Sequence, residues 1–435
     1  MSDILTVQET SLTAIADEIR KKTGKKDKIK FPTGFVSEID SIQTGGGSAP
    51  AEEVEEKDVN FFDYDGTLIA SYTEAEAKAL TTLPTPPEHS GLVFQGWNYT
   101  LEEVKANAEM ADIGALYTTD DGATRLEIEV ASEVRRDVHV AFAQSSTNGV
   151  LIDWGDGESE RPTSYPGNIT YTTHEYAATG TYIIKIFVDD DCAITLCGSP
   201  VSMMNPSDKT SNTCNYYMSM LKKIFLGDRI SGITASAFKN ALGLMEISMN
   251  QDISGIPNYA FAGSGINFIA IPRGVTDIEY NAFSECYSLR IVSLPATVKN
   301  IGNKAFYNDR LLERVNIRNV TNINDYMAYN CYNLKSLVFN EEMTFIGTYM
   351  CYQCFGLVNV KFLGSVKQIY NNAFFSCTSL RIMDFTNCIS VPTLQNTNSF
   401  GSYSSDMEIL VPAALVDEWR QATNWTALAK YIKGV

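Results

Sequence analysis

Ile278-Glu279-Tyr280-Asn281-Ala282-Phe283-Ser284-Glu285-Cys286-Tyr287-Ser288-Leu289, followed by Val292-Ser293-Leu294-Pro295, is one unit of a pattern that recurs along this chain. Its opening isoleucine returns at Ile233, Ile256, Ile301, Ile323, Ile346 and Ile369, with spacings of 22 or 23 residues. Five residues after the seven anchors stand Phe238, Phe261, Phe283, Phe306, Ala328, Cys351 and Phe374. Eleven after them, six copies carry Leu244, Leu289, Leu312, Leu334, Leu357 and Leu380, whereas the second copy is one residue short at Ser264-Gly265-Ile266. Apolar columns with a period in the twenties predict a solenoid. No single unit can bury its own apolar side, so stability comes from stacking, and the product is a long surface suited to binding.

Outward from the repeats, the 435 residues divide into several segments. The expected fold is multidomain and mainly β. Residues 1–44 read as short N-terminal helices, with Leu12, Ile15, Ala16 and Ile19 at helical spacing after Ser11 and a second stripe at Phe35, Val36, Ile39 and Ile42. Residues 45–58 are a flexible acidic linker, rich in glycine and glutamate. A small β-rich domain is expected at 59–118, a β-sandwich at 119–198, a connector at 199–220, repeats at 221–405 and a C-terminal cap at 406–435. Met203 to Met220 reads as irregular.

Composition narrows the function. A formal charge of −18 opposes nucleic-acid binding, because polyanions repel. No segment approaches the length of a membrane span, and the N terminus has no basic-then-apolar signal pattern, so neither membrane insertion nor classical secretion is expected. The nine cysteines are an odd number. Cys286, Cys331, Cys354 and Cys377 fall eight residues after an anchor, so they form a column of small apolar filler, and reduced thiols fit assembly in a cytoplasm. No metal site, cofactor motif or catalytic motif is present in the sequence, and no enzymatic activity is expected.

Several stretches resemble known families. The motif quoted above resembles the BspA-type leucine-rich repeat over some 160 residues, which implies a solenoid with a parallel sheet and an adhesive role. Trp154-Gly155-Asp156-Gly157 and His174-Glu175-Tyr176 before Gly180-Thr181-Tyr182 resemble the PKD-type immunoglobulin-like sandwich. Its strands are read at Leu126, Ile128 and Val130, at Val138, Val140 and Phe142, and at Tyr182, Ile184 and Ile186. Asp153, Asp156, Asp189, Asp190 and Asp191 supply oxygens of the kind calcium takes, or serve only the turns. Asp63-Tyr64-Asp65-Gly66-Thr67 and Gly91 to Trp97 resemble small β repeats of Listeria and Bacteroides surface proteins, with helical inserts around Glu74 to Leu80 and Leu101 to Ala108. Ser11 to Gly24 and Phe31-Pro32-Thr33-Gly34-Phe35 resemble N-terminal segments of tail proteins from phages of gut Firmicutes.

The candidate site is a set of aromatic columns in the later copies: Tyr307, Tyr329, Tyr352 and Phe375; Tyr326 and Tyr349; and Tyr287 and Tyr332, beside Phe355. Such rings either stack on one another as a stabilising ladder or form a ridge that meets sugars or protein. The expected protein is a phage tail-associated adhesin in the virion. Its N-terminal helices join other tail proteins, in a homotrimer or otherwise, and its repeats meet a glycan or protein receptor. The alternative is a BspA-like adhesin on a bacterial cell surface.

Overall fold

The structure is a computed structural model that describes residues 57–197, 203–204 and 211–435. The N-terminal helices and most of the linker lie outside the described residues.

The small domain contains strands β1 (Val59–Phe62), β2 (Leu68–Tyr72), β3 (Leu92–Trp97) and β4 (Ala111–Thr119), in the order β2-β1-β4-β3. β1 and β4 run parallel, and the other neighbours run antiparallel. Helices Glu74–Ala79 and Leu101–Ala106 are short because little but their caps defines them. Thr73 with Glu76, and Thr100 with Glu103, each close a reciprocal capping box that satisfies two end N–H groups. All nine residues of β4 are buried. Ala111, Ile113, Ala115 and Tyr117 enter the domain's own core, while Leu116 packs with Phe62 against Phe268 and Ala270 of the repeats. A strand covered on both faces cannot show simple alternation of apolar and polar residues.

Strands β5 (Thr124–Val130), β6 (Asp137–Gln144), β7 (Val150–Asp153), β8 (Ser159–Glu160), β9 (Ile169–Glu175), β10 (Gly180–Val188) and β11 (Ile194–Leu196) form two sheets around one core. Leu126, Ile128, Val138, Val140, Phe142, Ile184 and Ile186 are fully buried there. Trp154 is buried too, with His174 stacked on it at 4.9 Å and the Tyr176 hydroxyl donating to its carbonyl at 2.7 Å.

Both sheets continue into the repeats. β12 (Leu221–Phe225) pairs antiparallel with β5 and parallel with β14 (Glu246–Ser248). β13 (Ile230–Ile233) pairs with β11. The sandwich thereby closes the first coil of the array, whose backbone N–H and C=O groups would otherwise form an open edge. The stretch read as irregular before this junction contains a helix, Ser211–Met220. Its residues are weak helix formers, and buried Tyr217, Met218 and Met220 hold it by tertiary packing.

The seven anchors are all buried, and successive copies pair in parallel ladders, as in Asn300–Ile301 on Asn322–Ile323 and Ser336–Phe339 on Asn359–Phe362. Phe238, Phe261, Phe283 and Phe306 stack at 5.2, 5.3 and 5.6 Å. In copies five and six the order of large and small is inverted. Met327 before Ala328, and Met350 before Cys351, replace the Ala-Phe pair of the other copies. Both methionines are fully buried, so they alone refill the layers, and Tyr326 and Tyr349 stay half-exposed outside. An eighth layer follows: Thr393–Leu394 pairs with Gln368–Ile369, and Phe400 stacks on Phe374 at 5.6 Å. Trp425 then lies against Phe400 and Phe385, Trp419 against Phe385, and the strand Ile432–Gly434 pairs with Glu408–Val411.

Candidate functional site

The array has a strand side and a turn side, and the two are used differently. On the strand side the small domain is seated across many copies. Asn98 donates to the carbonyls of Ile271 and Ser293, each at 3.0 Å, and Tyr99 donates to Leu294 O at 2.8 Å. Ser293 donates to Asp112 O at 2.7 Å, and Ser248 to Tyr117 O at 2.9 Å. Arg314 grips buried Asp112, and Arg318 pairs with Glu109 at 2.7 Å. Gly114 is required by this approach, because a Cβ there would stand 2.3 Å from that of Ala270. A cleft of about 390 Å³ remains at the seam, lined by Lys57, Glu109, Asp112, Glu313, Arg314 and Lys335 among others. Four of its charges are consumed by Asp112–Arg314, Glu109–Arg318 and Glu313–Arg290 pairs.

On the turn side each copy holds two residues at positive φ, three and seven after the anchor. Asn281 and Asn372 occupy the first position, where asparagine is at ease, but Tyr259, Lys304, Tyr326 and Tyr349 occupy it in other copies at φ of 54–59°. Left-handed backbone costs a bulky residue about 1–2 kcal/mol. The turns are fixed by bonds to the next copy, as in Phe306 N–H to Met327 O at 2.9 Å and Asn308 N–H to Tyr329 O at 2.8 Å.

These turns bring the predicted aromatic residues together. Tyr307, Tyr329, Tyr352 and Phe375 stack at 4.9, 4.8 and 5.3 Å, with ring planes within 13° of parallel. Tyr326 and Tyr349 stack beside them at 5.0 Å. Burial, aided by neighbouring tyrosines, raises the Tyr326 and Tyr329 hydroxyls above their ordinary value. Tyr329 and Tyr352 have a ring against each face, so they offer only edges and hydroxyls. The third column is more open. Tyr287 is 46 % exposed and Phe355 38 %, Tyr332 stacks near Phe355 at 5.0 Å, and Leu242 extends the same column to the first copy.

Two cations complete the surface, and the search for aromatic columns missed them. Arg310 stands nine residues after its anchor, between Tyr287 at 5.5 Å and Tyr332 at 5.7 Å. Lys304 lies over Tyr307 at 5.2 Å and Tyr326 at 5.5 Å. Both are visible in the sequence once every position of the repeat is aligned, not the apolar ones alone.

Four of the five sandwich aspartates are engaged within the fold. Asp153 and Asp156 accept from Gly155 and Glu158 N–H groups, Asp156 also meets His174 at 2.7 Å, Asp189 pairs with Arg161 and Asp190 with Arg229. Among the described residues no group of three or more His, Cys, Asp or Glu is arranged to hold a metal. The three histidines lie apart, each beside an aspartate: His89 with Asp63, His139 with Asp137, His174 with Asp156. Cys286, Cys331, Cys354 and Cys377 are buried and free, and each thiol donates to a carbonyl of the preceding copy at 3.0–3.1 Å. Burial pushes these thiols well above their ordinary value, which keeps them unreactive. Among the described residues no helix is long and apolar enough to cross a membrane.

Residues 199–267 and 254–381 match the BspA type leucine rich repeat region, so this part of the chain carries repeats of that type. No curated protein matches the sequence. Three solved structures are similar to part of this chain. The T. pallidum leucine rich repeat protein is 20% identical, with 43% of this chain and 83% of that one covered and a TM-score of 0.34. A leucine rich cell surface protein from Faecalibacterium prausnitzii A2-165 is 16% identical, with 53% and 87% covered and a TM-score of 0.21. The pneumococcal vaccine antigen PcpA is 16% identical, with 52% and 74% covered and a TM-score of 0.26.

Proposed function

We propose that this is a non-catalytic adhesion protein whose repeat array meets a bacterial surface through its turn side. One observation carries the reading. The strand side of the earlier copies is covered by the small domain, whereas the turn side keeps Tyr287 and Phe355 exposed beside half-buried rings. Rings of this kind bury much area for little lost entropy, which makes them good anchors for sugars and proteins.

Within this reading the protein belongs to a phage tail, where its N-terminal segment attaches to other tail proteins, as a trimer or otherwise. The resemblance of residues 11–35 to tail-protein N termini supports that placement. The repeat type favours the second setting, a BspA-like adhesin displayed on a bacterial cell. Mass spectrometry of gradient-purified virions from an induced host, beside washed cell envelopes, separates them. The tail reading expects the chain in virions at a fixed ratio to other tail proteins. Recovery in envelopes alone rejects it in favour of the cell-surface setting. Labelled full-length protein binding no strain of a bacterial panel rejects adhesion in both.

A further inference from the structure

Copy four differs from its neighbours in what it adds to the aromatic surface. At three, six and nine residues after Ile301 it carries Lys304, Tyr307 and Arg310, whereas copy five carries Tyr326, Tyr329 and Tyr332 at the same places. The two cations are held by rings rather than carboxylates. Lys304 spans Tyr307 and Tyr326, and Arg310 spans Tyr287 and Tyr332. Among the described residues neither makes an ion pair. The nearby Asp325 carboxylate is turned to the Thr348 N–H at 2.7 Å, and Asp309 is wholly buried. Elsewhere on the array Arg290 pairs with Glu313, Arg314 with Asp112 and Arg318 with Glu109. In a chain of net charge −18, these two unpaired cations concentrate positive charge on one exposed turn, with Glu285 as the carboxylate beside Tyr287.

The missing residue of copy two adds a shelf beside them. Gly265 stands nine residues after Ile256, where copies one and three have Leu242 and Tyr287. Tyr287 therefore has Arg310 against one face and no side chain of its own column against the other. Tyr287 thus offers one face to a flat ligand, and a guanidinium lies immediately behind it.

Resting on the adhesion reading above, we propose that copies two to five bind an anionic glycopolymer laid along the array. A sugar ring stacks on the free face of Tyr287, and phosphate or carboxylate groups of the polymer meet Arg310 and Lys304. A guanidinium held over tyrosine rings keeps N–H groups for an anion. A neutral glycan would leave both cations unanswered, and an anion without a sugar ring would leave the shelf empty.

The test uses the full chain and its Lys304→Gln/Arg310→Gln and Tyr287→Ser variants, with folding verified by circular dichroism and melting temperature. Biolayer interferometry measures binding to ribitol-phosphate wall teichoic acid, polygalacturonate, dextran and sugar-free polyphosphate. Binding to whole cells is measured in parallel. The proposal expects retention on the first two polymers, little on dextran or polyphosphate, and a loss of about tenfold or more in both variants. Wild-type affinity that falls with added salt, and falls less steeply in the double variant, is expected too. Equal binding of polyphosphate and the anionic glycans assigns the affinity to charge alone and overturns the glycan. Cell binding that survives in both variants, with no affinity for any polymer, overturns this proposal while leaving adhesion standing. Absence of cell binding by the wild type overturns both.

Discussion

Asp112 and Arg314 are 202 residues apart in sequence and form a two-pronged ion pair between the small domain and the fourth repeat, Nε to Oδ2 at 3.0 Å and Nη2 to Oδ1 at 2.7 Å. The carboxylate is 2 % exposed. Removing one member of such a pair strands the other as a buried charge, which costs about 3–5 kcal/mol. Arg314→Met is expected to loosen the seam. In urea denaturation the small domain's transition moves to lower urea, and limited proteolysis cuts earlier in the Asp120 to Ala123 turn. Gly114→Val, which forces a side chain into Ala270, is expected to give the same pattern without touching a charge.

The inverted layers make a separable prediction. Phe306→Ala opens a cavity in a continuous ring stack and is expected to cost about 3–5 kcal/mol. In copy five, Met327→Ala opens a cavity worth about 2–5 kcal/mol, and Ala328→Phe overpacks the layer at about 1–3 kcal/mol. The double variant restores the Ala-Phe order of the other copies and conserves volume, so its cost should stay below about 1.5 kcal/mol. A double-mutant cycle by chemical denaturation reads this coupling directly, and additive single costs would show that the two positions do not fill one layer.

Asp309 occupies the column that holds Cys286 and Cys331, and it is fully buried. Its Oδ1 accepts the Cys286 N–H at 2.8 Å, and Oδ2 has no hydrogen-bond partner among the described residues. Burial first, then the charge of Glu285, hold its carboxyl well above the usual range. The folded state thus keeps a proton that the unfolded chain gives up. Its contribution is fully present below the unfolded carboxyl value near 3.9 and is lost as pH rises toward the folded value, at up to about 1.36 kcal/mol per pH unit. Asp309→Cys, which matches the column, is expected to raise stability at neutral pH and flatten that slope. Melting temperatures of both proteins from pH 4 to 8 check it. Parallel slopes would contradict a protonated Asp309.

The repeat was legible because its apolar residues must face one another in every copy, and a column in space is a period in sequence. The two glutamate-closed helices of the small domain were legible for a similarly local reason. The docking of that domain was not. It depends on Asn98, Asp112 and Gly114 meeting Ser293, Arg314 and Ala270, and nothing local marks a polar strand residue as an interface. The sheet continuity between β5 and β12 was hidden likewise, since an edge strand and a paired one share the same alternation. Of the candidate site, the columns could be read, but their mutual stacking decides which faces remain free. That stacking shifts attention from Tyr329 and Tyr352 to Tyr287, Arg310 and Tyr332.

The most direct measurement is flow cytometry of fluorescent full-length protein on a panel of gut Firmicutes, comparing wild type with Tyr287→Ser/Tyr332→Ser/Phe355→Ser. Phe345→Ser, which removes an exposed ring outside the aromatic columns, serves as the control. Binding restricted to some strains, lost in the triple variant and kept in the control, is the predicted result. Strain binding that is unchanged in the triple variant would contradict recognition through the turn side.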